Sequence, residues 1–305
     1  MEQNRLTTNI AGLKLTNPTI LASGIMGYSA ESMDRVAKSG AGAVITKSVG
    51  IKPRVGYANP TIVQTESGLI NAMGLPNPGI EKYVNEIKHA KTVLQIPLIV
   101  SVFGYSADEY AIVAKRAAEA GADAIELNVS CPHVKQTGAE IGQNPSILSD
   151  VVKKVKAETA VPLIVKLSPN VADIVVLAKA AVEAGADVLT AVNTLKALAI
   201  DAETMMPILN NIKGGLSGAA IKPVSLRCVY DIADAVDIPI IGCGGISNWR
   251  DAAEFFLAGA SAVQIGTAVA DNIEVFQSVT KGLETYLRKK RYENVKEIVG
   301  LAHRK

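Results

Sequence analysis

Apolar and polar positions along this chain separate into two alternating kinds of segment. Short, nearly uninterrupted apolar runs, such as Ile96-Pro-Leu-Ile-Val and Val161-Pro-Leu-Ile-Val, are typical of strands buried on both faces of a parallel sheet. Between the runs lie longer segments in which apolar residues recur at helical spacing, for example 107–120 and 171–184. This alternation predicts repeated strand–helix units and therefore an α/β protein.

Two recurring phrases set the length of each unit. One is an apolar run entered through proline, at Pro97, Pro162 and Pro239. The other is a glycine that ends a helix before the next strand, which suits a left-handed helix cap. Successive proline-to-glycine distances, to Gly121, Gly185 and Gly259, are 24, 23 and 20 residues. Each interval accommodates one strand and one helix.

Counting the apolar runs predicts eight strands. They cover residues 18–22, 43–47, 97–102, 123–129, 162–167, 187–192, 238–242 and 261–265. Eight such units are typical of a closed (β/α)8 TIM barrel, which we predict as one domain over residues 1–305. A doubly wound open sheet is the alternative, weakened because no G-x-G-x-x-G follows the first strand.

Three segments fall outside the repeated units. Residues 5–16 alternate around a turn and predict an N-terminal β-hairpin that closes the bottom of the barrel. Residues 48–78 and 194–218 are long insertions after strands two and six. Insertions at these positions lie on the catalytic face, and we expect them to be long functional loops.

Composition and charge exclude several classes of protein. Apolar residues make up 49% of the 305 residues and aromatic residues only 4%, so the core must be aliphatic. With 31 basic and 29 acidic residues, nothing indicates a nucleic-acid partner. No signal peptide or membrane-spanning run is recognisable. The 3 cysteines are widely spaced and include no C-x-x-C, which argues against a metal site and for a reducing, cytoplasmic location.

The segment from Ala124 to Pro132, Ala-Ile-Glu-Leu-Asn-Val-Ser-Cys-Pro, carries the most chemical information. It predicts a strand that delivers Asn128 and Cys131 to the carboxyl end of the barrel, where barrel enzymes place their active sites. A cysteine there can act as a base or nucleophile if its pKa is depressed. The alternative is a buried cysteine that packs as a small hydrophobe, as we expect for Cys228 and Cys243.

Glycine-rich turns after strands seven and eight predict a phosphate site. Strand seven runs into Gly242-Cys-Gly-Gly-Ile-Ser, and strand eight runs into Gly266-Thr267. Glycine allows backbone N–H groups to approach a phosphate, and barrels often bind phosphate with these two loops. The segment Gly214–Gly218 can add further amides. A sugar phosphate, flavin mononucleotide (FMN) or pyridoxal phosphate would all satisfy this pattern.

Other polar residues end the remaining strands at the same mouth. Lys47 and Lys166 lie in apolar runs, and buried ammonium groups need a negative partner, for which a bound anion is the natural candidate. The remaining strand-end residues are Ser23, Asn128, Asn193 and Thr194. The segment Asn71-Ala-Met-Gly-Leu-Pro-Asn77 adds another amide side chain and backbone N–H groups.

Together these motifs resemble class 1 dihydroorotate dehydrogenases, the soluble flavin barrels of pyrimidine (UMP) biosynthesis. The resemblance runs from Asn17-Pro18 to about residue 275. It rests on Asn71-Ala-Met-Gly-Leu, Glu-Leu-Asn128-Val-Ser-Cys131-Pro, Val-Lys166-Leu-Ser-Pro-Asn, Val-Asn193-Thr194-Leu, Gly-Gly-Leu-Ser-Gly218, Gly244-Gly245-Ile and Gly266-Thr267. It implies an oxidoreductase that converts dihydroorotate to orotate, with hydride passing to one FMN per chain.

The resemblance also assigns roles to individual residues. Cys131 would be the general base, and Lys47 would bridge flavin and substrate. The implied FMN-binding residues are Ser23, Lys47, Ser48, Asn128, Lys166, Val192, Gly218, Gly244, Gly245, Gly266 and Thr267. The implied substrate-binding residues are Lys47, Asn71, Ala72, Met73, Gly74, Leu75, Asn128, Asn193 and Thr194.

Finer features indicate the subclass. A cysteine base fits class 1, and Lys52-Pro-Arg54 with Asn71-Ala-Met resembles subclass 1B. That subclass implies a homodimer core flanked by partner subunits, as a heterotetramer, whose FAD and 2Fe–2S cluster pass electrons to NAD. The chain departs from the family pattern at His133, at Ser48 and at Ser101, where many members have a flavin-facing asparagine.

Three other functions remain open on the residues alone. A related FMN barrel could act on another dihydropyrimidine, since the amide residues suit any such ring. A phosphate-binding aldolase or isomerase barrel would explain the glycine turns but leave Cys131 and the amides without a role. A non-catalytic barrel subunit is the fourth reading, disfavoured by the number of polar groups at one mouth.

Overall fold

The structure is a computed structural model that describes residues 5–129 and 141–304. Within these residues, eight parallel strands close into a barrel, so the predicted (β/α)8 fold is confirmed. In chain order they are Thr19–Leu21, Ala43–Ile45, Leu98–Val102, Ala124–Asn128, Leu163–Leu167, Val188–Ala191, Ile240–Cys243 and Ala262–Ile265, called barrel strands 1 to 8 below. Each one falls within a predicted run or extends one residue beyond it.

Helices connect the strands and cover the outside of the barrel. They are Ala30–Lys38, Ile80–Val93, Ala107–Glu119, Pro145–Glu158, Ile174–Glu183, Lys222–Ala233, Trp249–Leu257, the short Thr267–Asp271 and Val275–Lys290. Short 3-10 turns span Ala219–Ile221, Val295–Ile298 and Leu301–His303. Glycines with positive φ follow four of the helices, at Gly40 (93°), Gly121 (110°), Gly185 (102°) and Gly259 (113°), as predicted for the last three.

The barrel interior is built in two layers of opposite polarity. Successive side chains of a strand point to opposite faces, so inward residues recur every second position. The lower layer is aliphatic and includes Ile99, Ala124 and Ile164, which pack against Ile10, Leu13 and Leu15 of the N-terminal hairpin. That hairpin pairs Thr8–Ile10 with Leu13–Leu15. It therefore closes the bottom of the barrel, as predicted.

Two positions further along the strands, the upper layer is polar. Its buried residues are Ser101, Glu126, Lys166, Thr190 and Gln264. The change from an aliphatic to a polar layer within the same strands marks the carboxyl end of the barrel as the place for chemistry.

The two long insertions are more than simple loops, as their length predicted, although the sheet that they form was not foreseen. They combine into one four-stranded antiparallel sheet, called the cavity sheet below, made of Ile62–Thr65, Gly68–Asn71, Leu195–Leu198 and Lys213–Ser217. Its central pairing joins the insertions, with Asn71 opposite Gly215. A two-residue ladder, Ile200–Asp201 with Met206–Pro207, extends from the second insertion.

Gly282 allows the last long helix, Val275–Lys290, to pack on the indole ring of Trp249. A Cβ atom at position 282 would lie 2.3 Å from Cγ of Trp249. We expect Gly282→Ala to lower the free energy of unfolding by about 1–3 kcal/mol through overpacking, despite the higher helix propensity of alanine. Chemical denaturation measures this, with Ser278→Ala at an exposed position of the same helix as the control. Equal stability of the two variants would contradict the packing argument.

Candidate active site

A cavity of about 1110 Å³ lies at the carboxyl end of the barrel. Its walls come from the strand ends, the glycine turns and the cavity sheet. Nearly all the predicted site residues line it: Ser23, Lys47, Ser48, Asn71, Met73, Gly74, Leu75, Asn128, Lys166, Val192, Asn193, Thr194, Gly218, Gly244, Gly245, Gly266 and Thr267. The structure therefore brings together residues that are spread over 245 positions of the sequence, from 23 to 267.

Two predicted site residues stand apart from this set. Ala72 packs in a small buried cluster with Ile70 and Leu209, and its N–H donates to the carbonyl of Thr61 at 2.8 Å. It is not among the residues that line the cavity. Cys131 lies outside the described residues, so its catalytic role stays a prediction.

Hydrogen bonds link the amide side chains of the mouth into one network. Asn128 donates through Nδ2 to Oγ of Ser48 at 3.0 Å. Asn193 donates through Nδ2 to Oδ1 of Asn128 at 3.3 Å. The hydroxyls of Ser48 and Ser101 are 2.9 Å apart, so Ser101 takes part in the network through Ser48. These bonds fix which end of each amide is oxygen and which is nitrogen, and therefore what a ligand would meet.

The loop after Asn71 is held in an unusual backbone conformation. Gly74 and Leu75 both have positive φ, 73° and 55°. A Cβ at position 74 would lie 2.7 Å from the backbone nitrogen of Tyr57, so only glycine fits. Arg54 donates through Nε to the carbonyl of Gly74 at 3.2 Å, and Asn71 donates through Nδ2 to the carbonyl of Gly215 at 3.3 Å. The loop is thus anchored from both insertions.

The glycine turn after barrel strand 7 presents unpaired backbone amides. Gly244 and Gly245 have φ values of 127° and 81°, and a Cβ at position 244 would lie 2.1 Å from Oγ of Ser225. Within the described part of the chain, the N–H groups of Gly244, Gly245 and Thr267 have no hydrogen-bond acceptor. These three residues are half-buried at the cavity wall, and a cluster of backbone amides without acceptors in such a place is suited to an anion.

Asp251 holds the same turn from behind. Its carboxylate accepts the N–H groups of Ser247 at 2.9 Å and Asn248 at 3.2 Å, and it pairs with Lys222 at 2.7 Å. Burial alone would raise the pKa of Asp251, but the hydrogen bonds from Lys222 and Ser247 outweigh burial and lower it. Asp251 therefore stays ionised and keeps the turn in place at neutral pH.

Among the described residues near Lys166 are Glu126, Thr190 and Gln264, which are buried and to which the sequence analysis assigned no role. Lys166 donates through Nζ to Oε1 of Gln264 at 2.7 Å and lies 3.9 Å from Oε1 of Glu126. Thr190 donates to Oε2 of Glu126 at 3.2 Å. We expected a bound anion to be the negative partner of Lys166. In the structure, the negative partner is the side chain of Glu126. The sequence did contain a signal for Glu126. It lies two residues before Asn128 on the same strand, so the two side chains point to the same face of the barrel.

Electrostatics of this layer favour a charged lysine. Burial works to lower the pKa of Lys166, but attraction by the thiolate form of Cys243 and by Glu126 outweighs burial and raises it. Near pH 7, where the thiol of Cys243 is neutral, the attraction comes from Glu126. Cys243 lines the cavity beside Lys166, where we had expected only packing, and burial raises its pKa. The thiol of Cys243 is therefore neutral near pH 7. Cys228 is buried on its helix, as predicted.

FMN matches the chemistry of this cavity. Unpaired amides of the glycine turns suit its phosphate, whereas the amide network and the Lys166 layer suit the hydrogen-bonding edge of its ring. At about 1110 Å³, the cavity lies at the upper end of the size range of small-ligand pockets. Among the described residues, no group of three His, Cys, Asp or Glu side chains could hold a metal ion. None of the helices in this part of the chain could span a membrane.

Fold and site together define a (β/α)8 barrel whose carboxyl end is suited to a phosphate-bearing ligand. The family model for dihydroorotate dehydrogenase matches residues 5–287, and the chain belongs to that family. The resemblance inferred from the motifs is thereby confirmed.

Relatives of similar length support the same assignment. A protein of Thermococcus kodakarensis is 53% identical over 299 residues, covering 98% of each chain. One of Pyrococcus abyssi is 52% identical over 298 residues, 97% of this chain and 99% of the relative. One of Methanosarcina mazei is 48% identical over 303 residues, 99% and 96% of the two chains. Each is named the catalytic subunit of dihydroorotate dehydrogenase B (NAD(+)).

Proposed function

We propose that this chain oxidises dihydroorotate to orotate in pyrimidine biosynthesis, with FMN held in the cavity. One observation carries the proposal. Backbone amides without acceptors at the glycine turns, the buried side chain of Lys166 and a network of asparagine amides all meet in one cavity. Full-length identity of about half to dihydroorotate dehydrogenase B catalytic subunits supports the same substrate.

On the cofactor side, the backbone amides of Gly244, Gly245 and Thr267 would bind the phosphate. Lys166, fixed by Gln264, would lie at the polar edge of the ring and stabilise negative charge there. FMN, when bound, would accept the hydride that leaves the substrate, which is chemistry that protein side chains do not supply. The remaining cavity residues that we assign to FMN are Ser23, Lys47, Ser48, Asn128, Val192, Gly218 and Gly266.

On the substrate side, Asn71, Asn128, Asn193 and Thr194 would bind the pyrimidine ring. An imide ring alternates donors and acceptors, and a carboxamide offers one of each. The backbone of Met73 to Leu75, with positive φ at Gly74 and Leu75, would contact the carboxylate. Lys47 would lie between the two ligands. Cys131 would remove the proton from the ring carbon next to the one that loses hydride, a role that rests on the family motif.

We further infer that the chain works with a partner subunit in the cytoplasm. The relatives are named catalytic subunits that use NAD(+), which supports onward transfer of electrons to NAD through a second chain. A partner with FAD and a 2Fe–2S cluster, docked on a homodimer core as a heterotetramer, is the arrangement that we propose. Size measurement of the complex after co-expression with the candidate partner tests it.

A visible spectrum of the purified chain, before and after anaerobic addition of dihydroorotate, tests the proposed function. Flavin absorbance that dihydroorotate bleaches is the expected result. A yellow protein whose flavin is not bleached by dihydroorotate would contradict this substrate and favour an FMN barrel that acts on another dihydropyrimidine. A colourless protein that cannot be reconstituted with FMN would favour the phosphate-binding aldolase or isomerase barrel.

Gly244→Ala is expected to weaken FMN binding by at least about tenfold, because a Cβ at φ 127° would collide with Ser225 and displace the turn. Gly259→Ala is the matched control: its φ is 113°, and its Cβ would lie 2.3 Å from Cβ of Ala233, away from the cavity. Both variants should lose stability, but only Gly244→Ala should lose affinity in FMN fluorescence titrations. Equal affinity of the two would contradict the phosphate assignment.

A further inference from the structure

Glu126 is a buried carboxylate that the proposed reaction does not use. It is fully buried in the upper layer of the barrel. Its Oε2 accepts hydrogen bonds from Nε2 of Gln264 at 2.6 Å and from Thr190 at 3.2 Å. Its Oε1, within the described part of the chain, is the buried side-chain oxygen that has no hydrogen-bond partner. A buried charge in this state requires an explanation.

The charged group nearest to Oε1 of Glu126 in the described structure is the ammonium of Lys166. Nζ of Lys166 lies 3.9 Å from Oε1 of Glu126, and it donates at 2.7 Å to Oε1 of Gln264. Gln264 is therefore bonded at one end to the ammonium and at the other to the carboxylate. The carboxamide fixes the separation of the two charges, so that they attract without forming a direct hydrogen bond.

Each charge of this pair depends on the other. An isolated ammonium in a buried site loses its proton readily, because burial disfavours the charged form. Among the residues that the structure describes, Thr190, Gln264 and Cys243 approach the pair. Thr190 and Gln264 are neutral, and burial raises the pKa of Cys243, so its thiol is neutral near pH 7. Lys47 lines the same cavity and carries a like charge. Glu126 is thus the one carboxylate that the described residues place in this layer.

We propose that Glu126 is a positioning residue that keeps Lys166 in place and charged before the cofactor is reduced. The inference rests on the proposed function, because it assumes that Lys166 lies beside the FMN ring. It adds a property that the reaction itself does not require: the number of protons taken up when the bound cofactor is reduced.

The proton balance follows from the charge on Lys166. Two electrons and one proton added to the FMN ring leave one extra negative charge, which a lysine that is already charged neutralises. A lysine that starts neutral would take up a second proton from solvent at the same time. The uptake would then be two protons for two electrons, with the second proton held on Nζ of Lys166.

Glu126→Gln removes the charge but keeps the size and an acceptor oxygen for Gln264. The measurement is the midpoint potential of bound FMN between pH 7 and pH 9, with photochemical reduction and no dihydroorotate. For the unmodified chain we expect the reduction equilibrium constant to change about tenfold per pH unit, the signature of one proton. For Glu126→Gln we expect the reduction equilibrium constant to change about a hundredfold per pH unit over part of this range, which is the signature of two protons.

Two further variants isolate the cause. Thr190→Val removes a hydrogen bond to the carboxylate without changing any charge, and should keep the uptake of one proton. The double variant Glu126→Gln/Lys166→Met lacks the amine that would take the second proton. Its reduction should therefore also take up one proton. Removing both charges is far less disruptive than removing one, so the double variant should fold.

A tenfold dependence in Glu126→Gln would overturn the proposal, because Lys166 would then not need Glu126 to set its charge. If Glu126→Gln fails to retain FMN, Glu126→Asp, which keeps the carboxylate, decides the question. Retention of FMN with uptake of one proton there supports the proposal, whereas loss of FMN from both variants means that Glu126 is needed only for the shape of the site. An unmodified chain that binds no FMN would instead refute the proposed function.

Discussion

Replacing Cys131 by serine is expected to slow oxidation of dihydroorotate at least about a hundredfold near neutral pH while FMN stays bound. A general base contributes about 10²–10⁴ to the rate, and a hydroxyl is a far weaker base than a thiolate. Because the proposed FMN contacts lie on the glycine turns and on Lys166, the flavin spectrum should not change. Stopped-flow measurement of flavin bleaching against pH gives the rate.

The pH profile separates loss of the base from loss of the fold. A missing base makes the rate rise with pH, since hydroxide can then remove the proton, whereas a damaged site stays slow at every pH. Cys228→Ala is the control, because Cys228 is buried on the helix Lys222–Ala233 and does not line the cavity. Undiminished bleaching by the Cys131→Ser variant at pH 7 would remove this residue from the mechanism.

Replacing Lys166 by methionine is expected to affect both stability and cofactor chemistry. The change leaves Glu126 buried without its positive partner, and breaking a buried pair in this way costs about 3–5 kcal/mol of unfolding free energy. Loss of the ammonium also removes the positive charge at the ring edge. We expect a fall in the rate of flavin bleaching by dihydroorotate of about a hundredfold or more.

A surface lysine provides the comparison for this variant. Lys156 pairs with Asp187 at 2.5 Å, with 38% and 30% of the two side chains exposed. Lys156→Met should change the unfolding free energy by at most about 1 kcal/mol, because water screens the pair. Urea denaturation of both variants, with FMN titration of the folded proteins, makes the test. Similar losses for both lysines would mean that the Lys166 pair is not a special feature of the site.

The sequence predicts the barrel well because its signals are local. A proline, an aliphatic run and a helix-ending glycine identify each unit, and Pro162 to Gly185 is one complete example. The site residues at strand ends, such as Asn128 and Asn193, are predicted for the same reason. All parallel strands deliver their carboxyl ends to one mouth, so a position at the end of a run is enough.

The parts that the sequence does not predict depend on contacts between distant residues. Strands of the cavity sheet are short and half exposed, and Asn71 bonds to Gly215, 144 positions away. Likewise, Glu126 and Gln264 are single polar residues inside apolar runs, 138 positions apart. Because these side chains are polar and buried, the sequence shows that they need hydrogen-bond partners. It does not show which partners, because these depend on the register of strands that meet only in the folded barrel.

The cavity sheet also bears on the order in which the protein acquires its ligand site. The loop that holds Gly74 and Leu75 in left-handed conformations is braced by the strand Lys213–Ser217, and the glycine turns of Gly244 and Gly266 come later still. Contacts between remote parts of a chain form late in folding, because a long loop must close first. During synthesis, a nascent chain of six strands would therefore have a barrel wall but no pocket, and capture of the cofactor would mark the arrival of the last quarter of the polypeptide.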